Sequence, residues 1–217
     1  MPYAIADQLI FPHPSLADAD GLLGIGGDLS PQRLILAYQH GIFPWFSEGD
    51  PILWYAPQER FVLKPEALKI SKSMRQFMRK SNWTVHRNKN FEQVIKCCAA
   101  FERKDQDGTW ITNAMQDAYL RLHNLGIAHS YETYNEQGEL IGGLYGVKVG
   151  KVFCGESMFA KASNASKLAF ITLAQEADIS LIDCQVYTEH LASLGAAFIP
   201  GAQYYALLQQ QDISDVL

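Results

Sequence analysis

Asp183 and Gln185 stand two apart in Leu181-Ile182-Asp183-Cys184-Gln185-Val186, a run whose apolar residues mark a buried, central strand. Side chains alternate across a strand, so this carboxylate and this amide share one face. One accepts hydrogen bonds and the other both donates and accepts. A buried carboxylate needs partners, so Asp183 is either a structural hydrogen-bond node or a group of a site. Glu156 has the same character, lying among Phe153, Met158 and Phe159. Such a lining suits a substrate with an apolar side chain and a positive charge nearby.

Other spacings exclude chemistry. On a strand Cys184 faces away from both neighbours, which disfavours a thiol nucleophile assisted by Asp183. Gly155-Glu156-Ser157-Met158-Phe159 lacks the second glycine of a nucleophile elbow. Gly24-Ile25-Gly26-Gly27 follows no predicted strand and carries no Lys-Ser/Thr pair, so it is not read as a phosphate loop. The six histidines and four cysteines show no metal-ligand spacing, and neither metal nor cofactor is expected. Thiols read as reduced, no apolar run near the ~18 residues of a membrane span and no secretory start point to a cytoplasmic protein.

The elements that must position these residues become regular after residue 60. Arg60-Phe61-Val62-Leu63 reads as a short strand. Ser71 caps a basic helix through Lys80, Asn90 caps another to about Phe101, and Thr112 or Asn113 opens a third that Gly126 closes. Three antiparallel strands follow at 129–134, 140–148 and 151–154. A helix over 164–177, the strand 181–186 and short elements at 190–194 and 203–210 complete an α+β pattern. The first 60 residues differ, with seven of the nine prolines and six of the sixteen glycines. They predict a small, mostly irregular N-terminal domain (1–60) with one helix capped by Ser30, followed by a larger domain at 61–217.

With 217 residues, 48% of them hydrophobic and 19% charged, the chain can bury a core without disulfide or metal staples. Its net charge of −5 hides a block: residues 60–104 hold twelve cations against three glutamates, leaving the block at +9 and the remainder at −14. That polarity can steer a polyanion to one face, although a solvated helix surface would look the same.

Several segments together resemble the leucyl/phenylalanyl-tRNA–protein transferases. They are Gly21 to Pro31 (GLLGIGGDLSP), Gly41 to Phe46 (GIFPWF), Gly108 to Thr112 (GTWIT), Gly142 to Gly146 (GGLYG), Phe153 to Phe159 (FCGESMF), Asn164 to Lys167 (NASK) and Leu181 to Val186 (LIDCQV). The resemblance implies that the larger domain is like a GNAT-type N-acetyltransferase. It implies transfer of leucine or phenylalanine, methionine less readily, from aminoacyl-tRNA to proteins beginning with Arg or Lys. That marks the acceptor for N-end rule degradation. By the same resemblance Asp183 and Gln185 are catalytic candidates. Leu144, Phe153, Glu156, Leu173 and Ile182 line the pocket for the transferred side chain, and Trp45 and Trp110 stack on the terminal adenosine. Lys72, Arg75, Arg79 and Lys80 become the expected tRNA contacts, on a protein expected to act as a monomer. Leu144 stands where methionine is common, and members often carry a basic, proline-containing tail where this sequence stops at Asp215-Val216-Leu217. The alternatives are an acyl-CoA-dependent N-acetyltransferase, whose Gln/Arg-x-x-Gly-x-Gly/Ala loop is not found, and a non-catalytic RNA-binding module.

Overall fold

The computed structural model describes residues 1–101 and 109–210. Glu102, Arg103 and Lys104 of the basic block, Gly108 and the final Asp215-Val216-Leu217 lie outside the described residues. Before residue 58 the chain forms β1 (Tyr3–Ile5), β2 (Leu22–Gly26), α1 (Pro31–Gln39), β3 (Phe43–Pro44) and β4 (Leu53–Tyr55). After it come β5 (Glu59–Leu63), α2 (Lys72–Lys80), β6 (Thr84–Arg87), α3 (Phe91–Ala100), α4 (Asn113–Asn124), β7 (Ala128–Tyr134), β8 (Leu140–Val149) and β9 (Val152–Ala160). The last elements are α5 (Ala165–Ala174), β10 (Leu181–Gln185), α6 (Glu189–Ser193), β11 (Ala197–Pro200) and α7 (Gly201–Gln209).

The helix starts follow the expected caps. Ser30, Ser71, Asn90 and Thr112 each accept a hydrogen bond from the backbone N–H three residues on, satisfying a donor the helix itself leaves open. Most of the N-terminal region is irregular, as expected, but its short strands also pair as a sheet in the order β1-β2-β4-β3. The Trp54 indole ties that sheet together by donating to the Gly26 carbonyl at 2.8 Å. Leu34, Ile35 and Tyr38 of α1 share one continuous apolar core with Met115, Tyr119 and Leu122 of α4.

The second sheet has seven strands in the order β11-β5-β10-β9-β8-β7-β6. Its neighbours pair antiparallel except β9 and β10, which run parallel and are joined through α5. One face buries Val152, Cys154 and Leu181 with α3 and α4; the other buries Phe153 and Ile182 with α5. β9 runs on to Ala160, six residues beyond the end expected at Cys154. The parallel pairing lasts only from Leu181↔Val152 to Asp183↔Cys154, after which β10 bulges and β9 continues beside β8 alone. A cleft opens at the carboxyl end of β10, where a crossover leaves two strands parting.

Candidate active site

The cleft has a volume of about 600 Å³. Leu144 of β8, Phe153 and Glu156 of β9, Leu173 of α5, and Ile182, Asp183 and Gln185 of β10 line it. Trp45, just after β3, and Trp110, just before α4, also border it. Trp45 is exposed and Trp110 half-buried, and the Trp45 ring leans on Tyr55 at 5.7 Å. Phe43, Met158, Phe170 and Leu191 extend the apolar wall. Lys72, Arg75, Arg79 and Lys80 are not part of the cleft: they lie exposed on α2, which is seated through Met74. None of the four forms an ion pair among the described residues.

Simple alternation stops at Asp183. The strand bulges there and Gln185 takes a left-handed backbone, φ 57°, which is uncommon for a non-glycine residue. The turn is held in place by Asp183, whose Oδ1 accepts the Gln185 backbone N–H at 3.0 Å. Asp183 Oδ2 meets the guanidinium of Arg60, and both side chains are buried. Burial, the largest single influence, opposes the Arg60 charge, but Asp183 together with Tyr204 and Cys154 outweighs it and raises the guanidinium above its ordinary pKa. Arg60 is thus corrected from a member of the surface basic block to a core residue.

Gln185 donates through Nε2 to Glu156 Oε1 at 2.8 Å. Tyr38 donates to the same oxygen at 2.7 Å, Tyr119 to Oε2 at 3.0 Å, and the two phenol hydroxyls also touch each other. Burial pushes the Glu156 carboxyl up to about 7, against the three hydrogen bonds that favour its charge, with a further upward push from Asp183. Burial, then Asp183, pushes the Cys184 thiol up, away from the thiolate a nucleophile needs.

Sequence reasoning missed Arg60, Tyr38 and Tyr119 as site residues. The tyrosines lie on the apolar faces of α1 and α4, beside Leu34, Ile35, Met115 and Leu122, although a buried phenol hydroxyl signals a polar partner. Arg60 opens the apolar run Phe61-Val62-Leu63, where a cation signals a buried counter-charge.

The fold and site thus define an α+β protein with an apolar cleft whose lining includes Glu156 and Gln185 of a carboxylate–amide–tyrosine network. The leucyl/phenylalanyl-tRNA protein transferase model matches residues 62–209, and the model of that family's N-terminal domain matches residues 27–58. A leucyl/phenylalanyl-tRNA–protein transferase of Syntrophus aciditrophicus is 56% identical over 205 residues, 93% of this chain and 85% of that protein. One from Flavobacterium johnsoniae is 51% identical over 212 residues, 96% of this chain and all of that protein. Among solved structures, FemX is 12% identical with a TM-score of 0.48, covering 82% of this chain and 71% of FemX. The chain belongs to the leucyl/phenylalanyl-tRNA–protein transferase family, and it is a transferase.

Proposed function

We propose that the chain transfers leucine or phenylalanine, and methionine less readily, from aminoacyl-tRNA to the α-amino group of proteins that begin with Arg or Lys, marking them for N-end rule degradation. The observation that carries this reading is the cleft itself. Its lining joins the apolar Leu144, Phe153, Leu173 and Ile182 to the polar Gln185, Glu156 and Asp183, and two tryptophans border it. Apolar side chains such as these accept Leu, Phe and Met and separate them only modestly. Trp45 and Trp110 suit stacking on the terminal adenosine, worth about 1–3 kcal/mol per base. The exposed cations of α2, Lys72, Arg75, Arg79 and Lys80, suit the phosphates of the acceptor stem.

The substrate ester is already activated, so the enzyme must align it with the amine and manage one proton. The amine nitrogen forms the new C–N bond as the ester C–O bond breaks, and its surplus proton passes to the departing ribose oxygen. Gln185 has its Nε2 committed to Glu156, so the amide carbonyl is the group left to accept from the amine and hold it in line. Asp183 holds Gln185. In this reading residues 61–217 form the acetyltransferase-like domain behind a small N-terminal one, and the parting of parallel β9 and β10 around the cleft supports it. The enzyme acts as a cytoplasmic monomer without metal or cofactor.

The test offers radiolabelled Leu-tRNA and two peptides differing only in an N-terminal Arg or Ala. Label enters the Arg peptide alone. A folded protein that binds the tRNA yet transfers nothing would overturn the reading in favour of an RNA-binding module.

A further inference from the structure

Arg60 is spent on more than one partner. Its Nη2 faces Asp183, its Nη1 donates to the Gly41 carbonyl at 2.7 Å, and the guanidinium lies over the rings of Tyr204 at 4.3 Å and Phe43 at 5.2 Å. Asp183 is equally committed, with Oδ2 toward Arg60 and Oδ1 on the Gln185 backbone N–H. A buried ion pair is weak support for stability, because apolar side chains of similar volume often serve as well or better. This pair sits one hydrogen bond from the left-handed turn that carries Gln185. We infer that Arg60 is a positioning residue for the transfer: it fixes Asp183, and through Asp183 the backbone turn that sets the Gln185 amide in the cleft.

The inference rests on the proposed role of Gln185 and goes further in two respects. It gives a task to a residue that lines no part of the cleft. It also makes Asp183 an acceptor of an N–H rather than a base, its carboxylate being turned to the buried Arg60 and to the Gln185 backbone N–H. A planar, forked cation holds a carboxylate and a backbone carbonyl in a fixed geometry that a lysine point charge does not reproduce.

A double-mutant cycle tests this, with Arg60→Met, Asp183→Asn and the pair combined, folding being checked by circular dichroism. Each variant is assayed for label transfer from Leu-tRNA to the Arg peptide, with kcat and the KM for Leu-tRNA separated. Each single change strands a buried group and shifts the turn, so kcat falls about 100-fold, the scale of a misplacement near 1 Å. The double variant removes both charges while the Asn oxygen still accepts the Gln185 N–H. Its kcat recovers to within about 10-fold of the parent, a coupling that independent roles would not give. KM for Leu-tRNA stays within about threefold throughout, as expected for an interaction that matters in the transition state.

A folded double variant no more active than Asp183→Asn alone overturns the inference, because Asp183 then acts as a base or Arg60 is merely structural. If Arg60→Met fails to fold, the comparison of Asp183→Asn with the double variant decides by the same rule. A parent that moves no label overturns the proposed function and this inference with it, whereas a parent that transfers with an unrecovered double variant overturns this inference alone.

Discussion

Glu156 is caught between two protonation states by groups that pull in opposite directions. Burial favours the neutral acid, while Tyr38, Tyr119 and Gln185 donate to the carboxylate, and the balance lies at about 7 against an ordinary 4.5. The folded protein therefore binds this proton more tightly than the unfolded chain does. The resulting stabilisation is complete below the unfolded value and is lost as pH rises through the folded one. Glu156→Gln keeps the shape and abolishes the titration, so subtracting its pH dependence from the parent's isolates the group. Urea unfolding at about pH 5 and about pH 8 should show the parent losing up to roughly 3 kcal/mol relative to the variant. A parent–variant difference that does not move with pH removes Glu156 from neutral-range titration. The carboxylates and Gln185 were legible in the sequence because apolar neighbours make a charge conspicuous. Their partners Tyr38, Tyr119 and Arg60 were not, since the hydrogen bonds that define them span 37 to 123 positions along the chain.

At the scale of elements, the segments with local signals were the ones legible in the sequence. α2, α3 and α4 begin where a side chain caps them, and α4 is closed by Gly126 at φ 76°. β6 and β11 gave no such signal because both lie at sheet edges with mostly exposed residues, and so lack the apolar alternation that announces a strand. The strands before residue 58 are two to five residues long and exist through pairings such as Tyr3↔Gly24, which no local pattern encodes. Close packing of α5 on β8 makes a sharper demand. A Cβ on Gly142 would lie 2.5 Å from Ala165 Cβ and 2.9 Å from the Ser166 backbone nitrogen, with backbone unable to give way cheaply. Gly142→Ala should lower unfolding free energy by about 1–3 kcal/mol, the usual cost of overpacking. Because α5 brings Phe170 and Leu173 to the cleft, the same change should raise the KM for Leu-tRNA. A urea midpoint equal to the parent's would show that α5 shifts without cost.

Across the whole molecule, charge is divided between a buried part that organises the site and an exposed part that faces solvent. Arg60 belongs to the first, which removes one cation from the positive block read in the sequence. Arg87 and Lys96 are partly neutralised by Glu176 and Glu92. What remains concentrated is α2, whose Lys72, Arg75, Arg79 and Lys80 are exposed and lack acidic partners among the described residues. On a protein with a net charge of −5 such a patch gains its importance from contrast: acidic surface elsewhere repels a polyanion that the patch attracts. Each phosphate that a cation neutralises releases condensed counterions, so the number of phosphates engaged appears as the slope of log affinity against log salt. Replacing Arg75, Arg79 and Lys80 by alanine should weaken tRNA binding and flatten that slope by roughly one unit for each cation removed, about three in all. Met74 stays in place beneath the helix, so the fold and the cleft are spared. The slope would be read from filter binding of Leu-tRNA over a range of salt concentrations, with single-turnover transfer measured at saturating tRNA as the control. A flattened slope with an unchanged saturated rate assigns α2 to docking, and a slope identical to the parent's takes the helix out of the interface.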